Sequence, residues 1–489
     1  MSDTINETTP LIKDDRDNIP KSRGAVLASR RWITVEPIIM AVALGYGILM
    51  VVQSQYVHHY FTNIYGGNVS YSQCLPNISD SQLRVNEEIQ AETTLWSIYM
   101  TVCVSIGSIP VGFVLGSYSD QIGRKIPLGI SVSGMFLCSL SSFLTILFEL
   151  PLWFLLLGTG ILGLSGGFML MVSVCMSYAA DVTDENNRMI HIIVLDVLLF
   201  LMVGVPQLGI GFLIKNVGYA VPFLIVMTVS LLVLAYIIIP GLLLETVERN
   251  VVGGVRSPVK KTFSDAMGIL KVKENRRHIK IILYMVVAFA MTGFGSGSFA
   301  VTVLYGMGAP LCLSPEDIGL FLFGSLMSAG VGSMIGGAIL PFCLSTFGMM
   351  YVSYLSNQAA FVATALAKTE WYLLLGACLG AFRLLALPIV RTDLSKMVKP
   401  DEQGTLFSII GIVNNLAELV FPVSLQVIYA ASLSFNSQFV FYLSAGLILI
   451  PWVITVILHL MNCSAPSTSH QGLQASQDKL HLASEPSQA

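Results

Sequence analysis

The chain has 489 residues, of which 54% are hydrophobic and 11% charged, and its mean hydropathy is +0.74. Soluble domains carry about a quarter charged residues, so this composition excludes a soluble protein and specifies an integral membrane one. The formal net charge of −3, with no basic cluster, excludes a nucleic-acid partner.

Residues 1–33 form a polar tail without the apolar core that a cleavable signal peptide needs, so the first apolar segment is expected to serve as the insertion signal. Within the tail, "NETTPLIKDD" sets Glu7 ahead of Leu11 and Ile12. That acidic dileucine pattern is a receptor-read address; it points to a late-endosomal or lysosomal membrane ahead of the plasma membrane, with a clathrin adaptor as partner.

A helix needs about 20 apolar residues to cross the hydrocarbon core of a lipid bilayer. Twelve segments qualify, near 34–57, 93–117, 126–147, 151–179, 189–213, 219–243, 279–305, 317–343, 347–367, 370–394, 405–430 and 437–461. The polar stretch 244–278 separates the six-helix sets 34–243 and 279–461, and 462–489, rich in Ser, Gln and Ala, reads as a disordered tail. Six plus six suggests two pseudo-symmetric halves, as in many secondary transporters. "DENNR" (184–188) and "DEQGT" (401–405) each follow the fourth helix of a half and precede a helix with an embedded proline, Pro206 or Pro422.

Lys and Arg concentrate in the N-terminal tail, in the stretch after helix 6 and in the turns after helices 2, 4 and 10. The positive-inside rule therefore makes both termini cytosolic. The loop 58–92 falls on the opposite side and carries the glycosylation sequons Asn68-Val-Ser and Asn77-Ile-Ser. Of eight cysteines, only Cys74 and Cys312 fall in non-cytosolic loops. Disulfides persist there; the alternatives are a bridge between the two loops or two free lumenal thiols, and the compartment favours the bridge.

Between helices 2 and 3 stands "GSYSDQIGRK", with Gly116, Asp120, Gly123, Arg124 and Lys125. Gly123 permits a tight turn, and Asp120 can accept charge-assisted hydrogen bonds, so the cluster can latch the two halves on the cytosolic side and release. The pattern resembles the signature loop of the major facilitator superfamily, and "LLLETVERN" (242–250) ends helix 6 as that superfamily does. The resemblance implies an all-α membrane protein of the major facilitator fold.

Further matches run across roughly 33–460. "VEP" (35–37), "QY" (55–56), "GAPLC" (308–312), "PIVRTDLSKMV" (388–398) and "DEQGTLF" (401–407) together resemble solute carrier family 46. That resemblance implies a disulfide between the loops of Cys74 and Cys312. It implies a substrate and proton role for Arg391, proton coupling for Asp196, and a pathway role for Asn414. The sequence departs from the family's folate carrier at three places: Thr159 and Gly167 replace a helix 4 arginine and aspartate, and Gly295 falls near a helix 7 histidine. The departures shift the expected cargo toward steroid conjugates, bile acids or peptidoglycan fragments.

Ionisable groups inside lipid cost about 2.5–3.5 kcal/mol each on insertion scales and usually serve function. Arg383 and Glu418 fall near the middle of helices 10 and 11, and are expected to face one another or a central cavity. Glycines crowd helices 4 and 8, where they suit close helix packing. With no nucleotide-binding loop, no metal site and no cofactor, the expectation is a proton-coupled symporter of organic anions working by alternating access, not an enzyme. The rivals are a plasma-membrane folate importer and a non-transporting receptor or scaffold.

Overall fold

The computed structural model describes residues 35–65, 80–183, 185–246, 268, 276–308, 311, 313–398 and 403–463. They form twelve helical spans: α1 (Glu36–Ile64), α2 (Asp80–Ile122), α3 (Lys125–Leu147), α4 (two pieces, Trp153–Leu164 and Gly167–Val182), α5 (Glu185–Val217) and α6 (Ala220–Ile238); then α7 (Arg277–Met307), α8 (Pro315–Ile339), α9 (Thr346–Ala365), α10 (two pieces, Glu370–Leu379 and Ala386–Lys396), α11 (Gln403–Ser432) and α12 (two pieces, Phe439–Leu447 and Leu449–Cys463). Eleven are long and apolar enough to cross a membrane. The twelfth, α9, is more polar because Ser353, Ser356, Asn357 and Gln358 lie along it; the two serines serve its neighbour α10, as described below, and Gln358 donates to the Ala445 carbonyl of α12 at 3.2 Å.

Local chemistry sets the helix starts. Pro37 occupies the first turn of α1, where a missing N–H costs nothing. α8 begins with a capping box: Ser314 accepts from the Asp317 backbone N–H at 3.2 Å, and the Asp317 carboxylate accepts from the Ser314 backbone N–H at 3.3 Å.

Pairing within the halves repeats six helices on. In the first half α1 packs on α5, α2 on α4, α3 on α4 and α3 on α6; in the second, α7 packs on α11, α8 on α10, α9 on α10 and α9 on α12. One apolar core lies wholly in the second half, around Tyr284, Phe294, Tyr354 and Phe441. The other fills the first half and continues into Val303, Ile318, Phe321 and Leu373 of the second.

The halves meet where α2 crosses α11 and α5 crosses α8. Two ends of the bundle can be distinguished: the tail end, where α1 begins, and the loop end, where α1 gives way to α2. Every hydrogen bond or ion pair between the halves that joins two described residues lies at the loop end. There Gln90 of α2 donates to the carbonyl of Leu304 at 2.8 Å and to the Tyr429 hydroxyl at 2.7 Å. Lys215, at the end of α5, pairs with Glu316 of α8 at 3.0 Å. The interface is therefore sealed at the loop end.

Candidate functional site

Three places in the bundle carry unusual chemistry: the turn between α2 and α3, the interruptions of α4 and α10, and the middle of α11. At the α2–α3 turn, Gly123 holds φ +98°, a left-handed conformation that glycine adopts without cost, and a Cβ there would run into the Glu245 carboxylate. Glu245 lies just beyond α6 and accepts the backbone N–H groups of Arg124 at 2.7 Å and Lys125 at 3.3 Å. A carboxylate thus sits on the amino end of α3, where the unpaired N–H groups and the helix dipole favour an anion. The Arg124 side chain donates to Asp181 at 3.0 Å and to Ser119 at 2.7 Å, and Thr246 donates to the same Asp181 at 2.9 Å. Lys125 caps the Leu243 carbonyl at 3.2 Å. These partners all belong to the first half, so the described contacts bind α2, α3, α4 and the exit of α6 to one another. The sequence leads one to expect a latch between the halves; the contacts among described residues lie within the first half, Arg124 and Thr246 keep interactions beyond these, and the Asp120 side chain lies outside the described residues.

The interruption of α4 falls at Ser165 and Gly166, near mid-depth. Gly166 has φ +98° and Gly167 φ +65°, and Ser131 of α3 donates to the Ser165 carbonyl at 2.8 Å. The interruption of α10 falls at Gly380–Leu385, also near mid-depth, where a short 3-10 turn replaces regular helix. Backbone groups freed inside a membrane need new partners, and serines of the neighbouring helices supply them. Ser353 of α9 accepts from the Ala386 N–H at 3.2 Å and donates to the Arg383 carbonyl at 3.1 Å. Ser356 accepts from the Phe382 N–H at 3.1 Å and donates to the Leu379 carbonyl at 2.5 Å. Ser333 of α8 donates to the Ala381 carbonyl at 3.3 Å.

Arg383 sits in this interruption. Its Nη2 donates to Ser325 of α8, to the hydroxyl at 3.0 Å and the carbonyl at 3.2 Å. Its Nε and Nη1 have no protein partner among the described residues and are not sealed in. The guanidinium thus keeps donors free to meet an anion in the fork geometry that suits carboxylate, sulfate or phosphate.

Glu418 lies near the middle of α11. It is half-buried and makes no hydrogen bond or ion pair among the described residues. One turn earlier Asn415 approaches Gly112 of α2, so this face of α11 is turned to the first half. Arg383 and Glu418 do not pair. Sequence depth puts them at one level, but Arg383 turns to α8 and Glu418 lies one turn from Asn415 on the face of α11 turned to the first half, where the Gly166 carbonyl, two residues before Phe168, approaches the same Gly112. Tyr46 of α1 stacks on Phe168 of α4, ring centroids 3.9 Å apart and planes 2° apart. Phe168 reaches that ring because it directly follows the α4 interruption.

Of the other expected residues, Asn414 accepts from Thr292 of α7 at 3.1 Å. Arg391 is half-buried in the second piece of α10, toward the tail end. Two residues on, Asp393 accepts from the Tyr284 hydroxyl at 3.1 Å and pairs with Lys396 at 3.8 Å. Gly116 opens the motif within α2, against Leu170. Thr159 turns its hydroxyl to the Leu156 carbonyl of its own helix at 3.0 Å. Cys74, Cys312, Asn68, Asn77, Glu7, Leu11 and Ile12 lie outside the described residues, as do the side chains of Asp120 and Asp196. Sequence reasoning did not single out Asp181, Ser325, Tyr46, Phe168 or Gln90. Only the superfamily-like end of helix 6 pointed toward Glu245.

Comparison with known proteins agrees with this architecture. The family profile described as "Major Facilitator Superfamily" matches residues 37–422. The lysosomal proton-coupled steroid conjugate and bile acid symporter of Rattus norvegicus is 28% identical over 436 residues, covering 86% of this chain and 92% of that protein. The proton-coupled folate transporter of Rattus norvegicus is 26% identical over 438 residues, covering 88% and 92%. Among solved structures, the human organic anion transporter MFSD10 (TETRAN) superimposes with a TM-score of 0.60 at 14% identity, covering 89% of this chain and 100% of that one. The peptide transporter POT superimposes with a TM-score of 0.57 at 13% identity, covering 90% and 97%. At such identities the two structures speak to the fold alone.

Proposed function

The chain belongs to the major facilitator superfamily and is a multi-pass membrane transporter, not an enzyme; on that premise we propose that it moves small organic anions together with protons by alternating access. The observation that carries the reading is Arg383: a cation at mid-depth, placed where α10 loses its regular helix, held by Ser325 and with two nitrogens free. Secondary transporters build their sites from such interrupted helices near the membrane midplane. An arginine there accounts for its insertion cost by binding a negative cargo.

The bonds between the halves that join described residues lie at the loop end, which supports a site that faces the tail end. If the tail end is cytosolic, as the Lys and Arg distribution requires, cargo enters from the lumen and leaves to the cytosol, which suits an acidic endolysosome as the proton source. Arg391 then lies along the exit path, and Asp196 of α5 is the proton acceptor. Thr159, whose hydroxyl is spent within its own helix, and Gly295 add no ionisable group. This favours steroid conjugates, bile acids or peptidoglycan fragments over folate.

Uptake of radiolabelled estrone sulfate into proteoliposomes, with and without an inward proton gradient, tests the reading. The expected result is gradient-driven accumulation that collapses with a protonophore. Uptake equal to that of empty liposomes at every gradient, for estrone sulfate, taurocholate and a muramyl dipeptide alike, would overturn it.

A further inference from the structure

Glu418 and the Tyr46–Phe168 pair do not belong to the anion contact at Arg383. We propose that they form a second pole of the transport site, one that takes an ammonium or other strongly N–H-donating group, so that the preferred cargo is an organic anion that also carries a cationic group. The inference rests on the anion-transport reading and specifies its substrate class.

Three observations carry it. First, Glu418 is a carboxylate near the middle of a membrane-spanning helix with no cation and no hydrogen-bond donor beside it among the described residues, yet its oxygens are not sealed in. A carboxylate that were a structural element would hold a partner, as Asp181 holds Arg124 and Thr246 and as Asp393 holds Tyr284 and Lys396. Here the partner's place is open. Second, Tyr46 of α1 stands on the first-half side of the interface of the halves, stacked on Phe168, two residues after Gly166, whose carbonyl approaches Gly112 of α2 beside Asn415. Its hydroxyl has no hydrogen-bond partner among the described residues, and its ring is fixed by the stack on Phe168. A fixed aromatic ring at the same interface as a carboxylate favours a cation twice, through the negative face of the ring and through charge. Third, Arg383 is not that cation: it turns to Ser325 on α8 and makes no ion pair with Glu418. The two charges stay apart on different helices, one facing α8 and one on the face of α11 turned to the first half. A cargo that met both would need opposite charges separated along its length.

A matched pair of bile-acid conjugates isolates the second pole. Cholylglycine and cholyllysine share the steroid body and the single carboxylate, and cholyllysine adds an ammonium group. Their affinities are read from thermal stabilisation of the purified full chain in detergent. The wild type is expected to bind cholyllysine about tenfold more tightly than cholylglycine, the gain of one charged hydrogen bond. Glu418→Gln is expected to remove that preference while changing cholylglycine affinity less than about twofold. Tyr46→Phe, which keeps the stack, is expected to reduce the preference part of the way. Equal affinity of the wild type for both conjugates would overturn the second pole and leave the anion reading standing. So would a Glu418→Gln protein that keeps the preference. A Glu418→Gln protein that keeps both affinities but loses proton-driven uptake of both would make Glu418 a proton-binding group instead. Failure of the wild type to bind either conjugate, or estrone sulfate, would sink the anion reading and this inference with it.

Discussion

α4 and α10 are interrupted at similar depth, six helices apart in the chain, and the two interruptions are built differently. α4 turns on glycines: Gly166 and Gly167 adopt left-handed conformations, and a single serine, Ser131, repairs one carbonyl. α10 keeps ordinary backbone angles through a 3-10 turn and spends two serines of α9 and one of α8 on the freed groups. The outcome differs as well. The α4 interruption delivers an aromatic ring, Phe168, to Tyr46, and the α10 interruption delivers a guanidinium. One fold device, repeated, has given one half an apolar surface and the other a charge.

Removing the repairs at α10 should cost most. The double variant Ser353→Ala, Ser356→Ala strips the Phe382 and Ala386 N–H groups of their acceptors, and at roughly 1–3 kcal/mol for each of the two orphaned groups unfolding in mixed micelles should show a loss of about 2–6 kcal/mol. Gly166→Ala should cost less, about 1–2 kcal/mol, the penalty of a left-handed residue with a side chain, with crowding against Leu170 adding to it. Its affinity for anions should be unchanged, because α4 holds none of the anion contact. Ser131→Ala should cost least in stability, about 1 kcal/mol, since a single carbonyl loses one donor. Ser325→Ala removes the hydroxyl half of the Arg383 tether, leaves the bond to the residue 325 carbonyl, and removes no charge. It should raise the KM for estrone sulfate about threefold and leave stability within about 0.5 kcal/mol. If Ser131→Ala proved more damaging than the α9 pair, the contrast between the two interruptions would fail.

The spans themselves were legible because an apolar run of the right length has few alternatives in water or lipid. The interruptions were not. Gly163, Gly166 and Gly167 read like any small-residue stripe made for close packing, and only the backbone angles at Gly166 and Gly167 separate a turn from a smooth surface. α10 gave less warning still, because Gly380–Leu385 contains no proline and one glycine, and the serines that stabilise its interruption stand on another helix. Arg383 and Glu418 were legible as costly residues, but which of the expected directions each takes, toward the other or toward a cavity, was not. Depth along a helix follows from counting, whereas the direction a side chain faces depends on which helix packs on which side. The charged turn at 116–125 was legible as a motif, and its partners Asp181 and Glu245 were hidden because acidic residues at helix ends are ordinary.

The central claim is that Arg383, exposed by the interruption of α10, is the contact that selects negative cargo. Concentration-dependent uptake of estrone sulfate under a fixed proton gradient, compared between the wild type and Arg383→Ala, tests it most directly, with surface-normalised protein and Arg383→Lys as the charge-retaining control. The account predicts a loss of at least about fiftyfold in kcat/KM for Arg383→Ala, corresponding to about 2.3 kcal/mol of lost recognition, and partial recovery in Arg383→Lys, which keeps the charge but not the fork. An Arg383→Ala protein that transports estrone sulfate within about twofold of the wild type would contradict it.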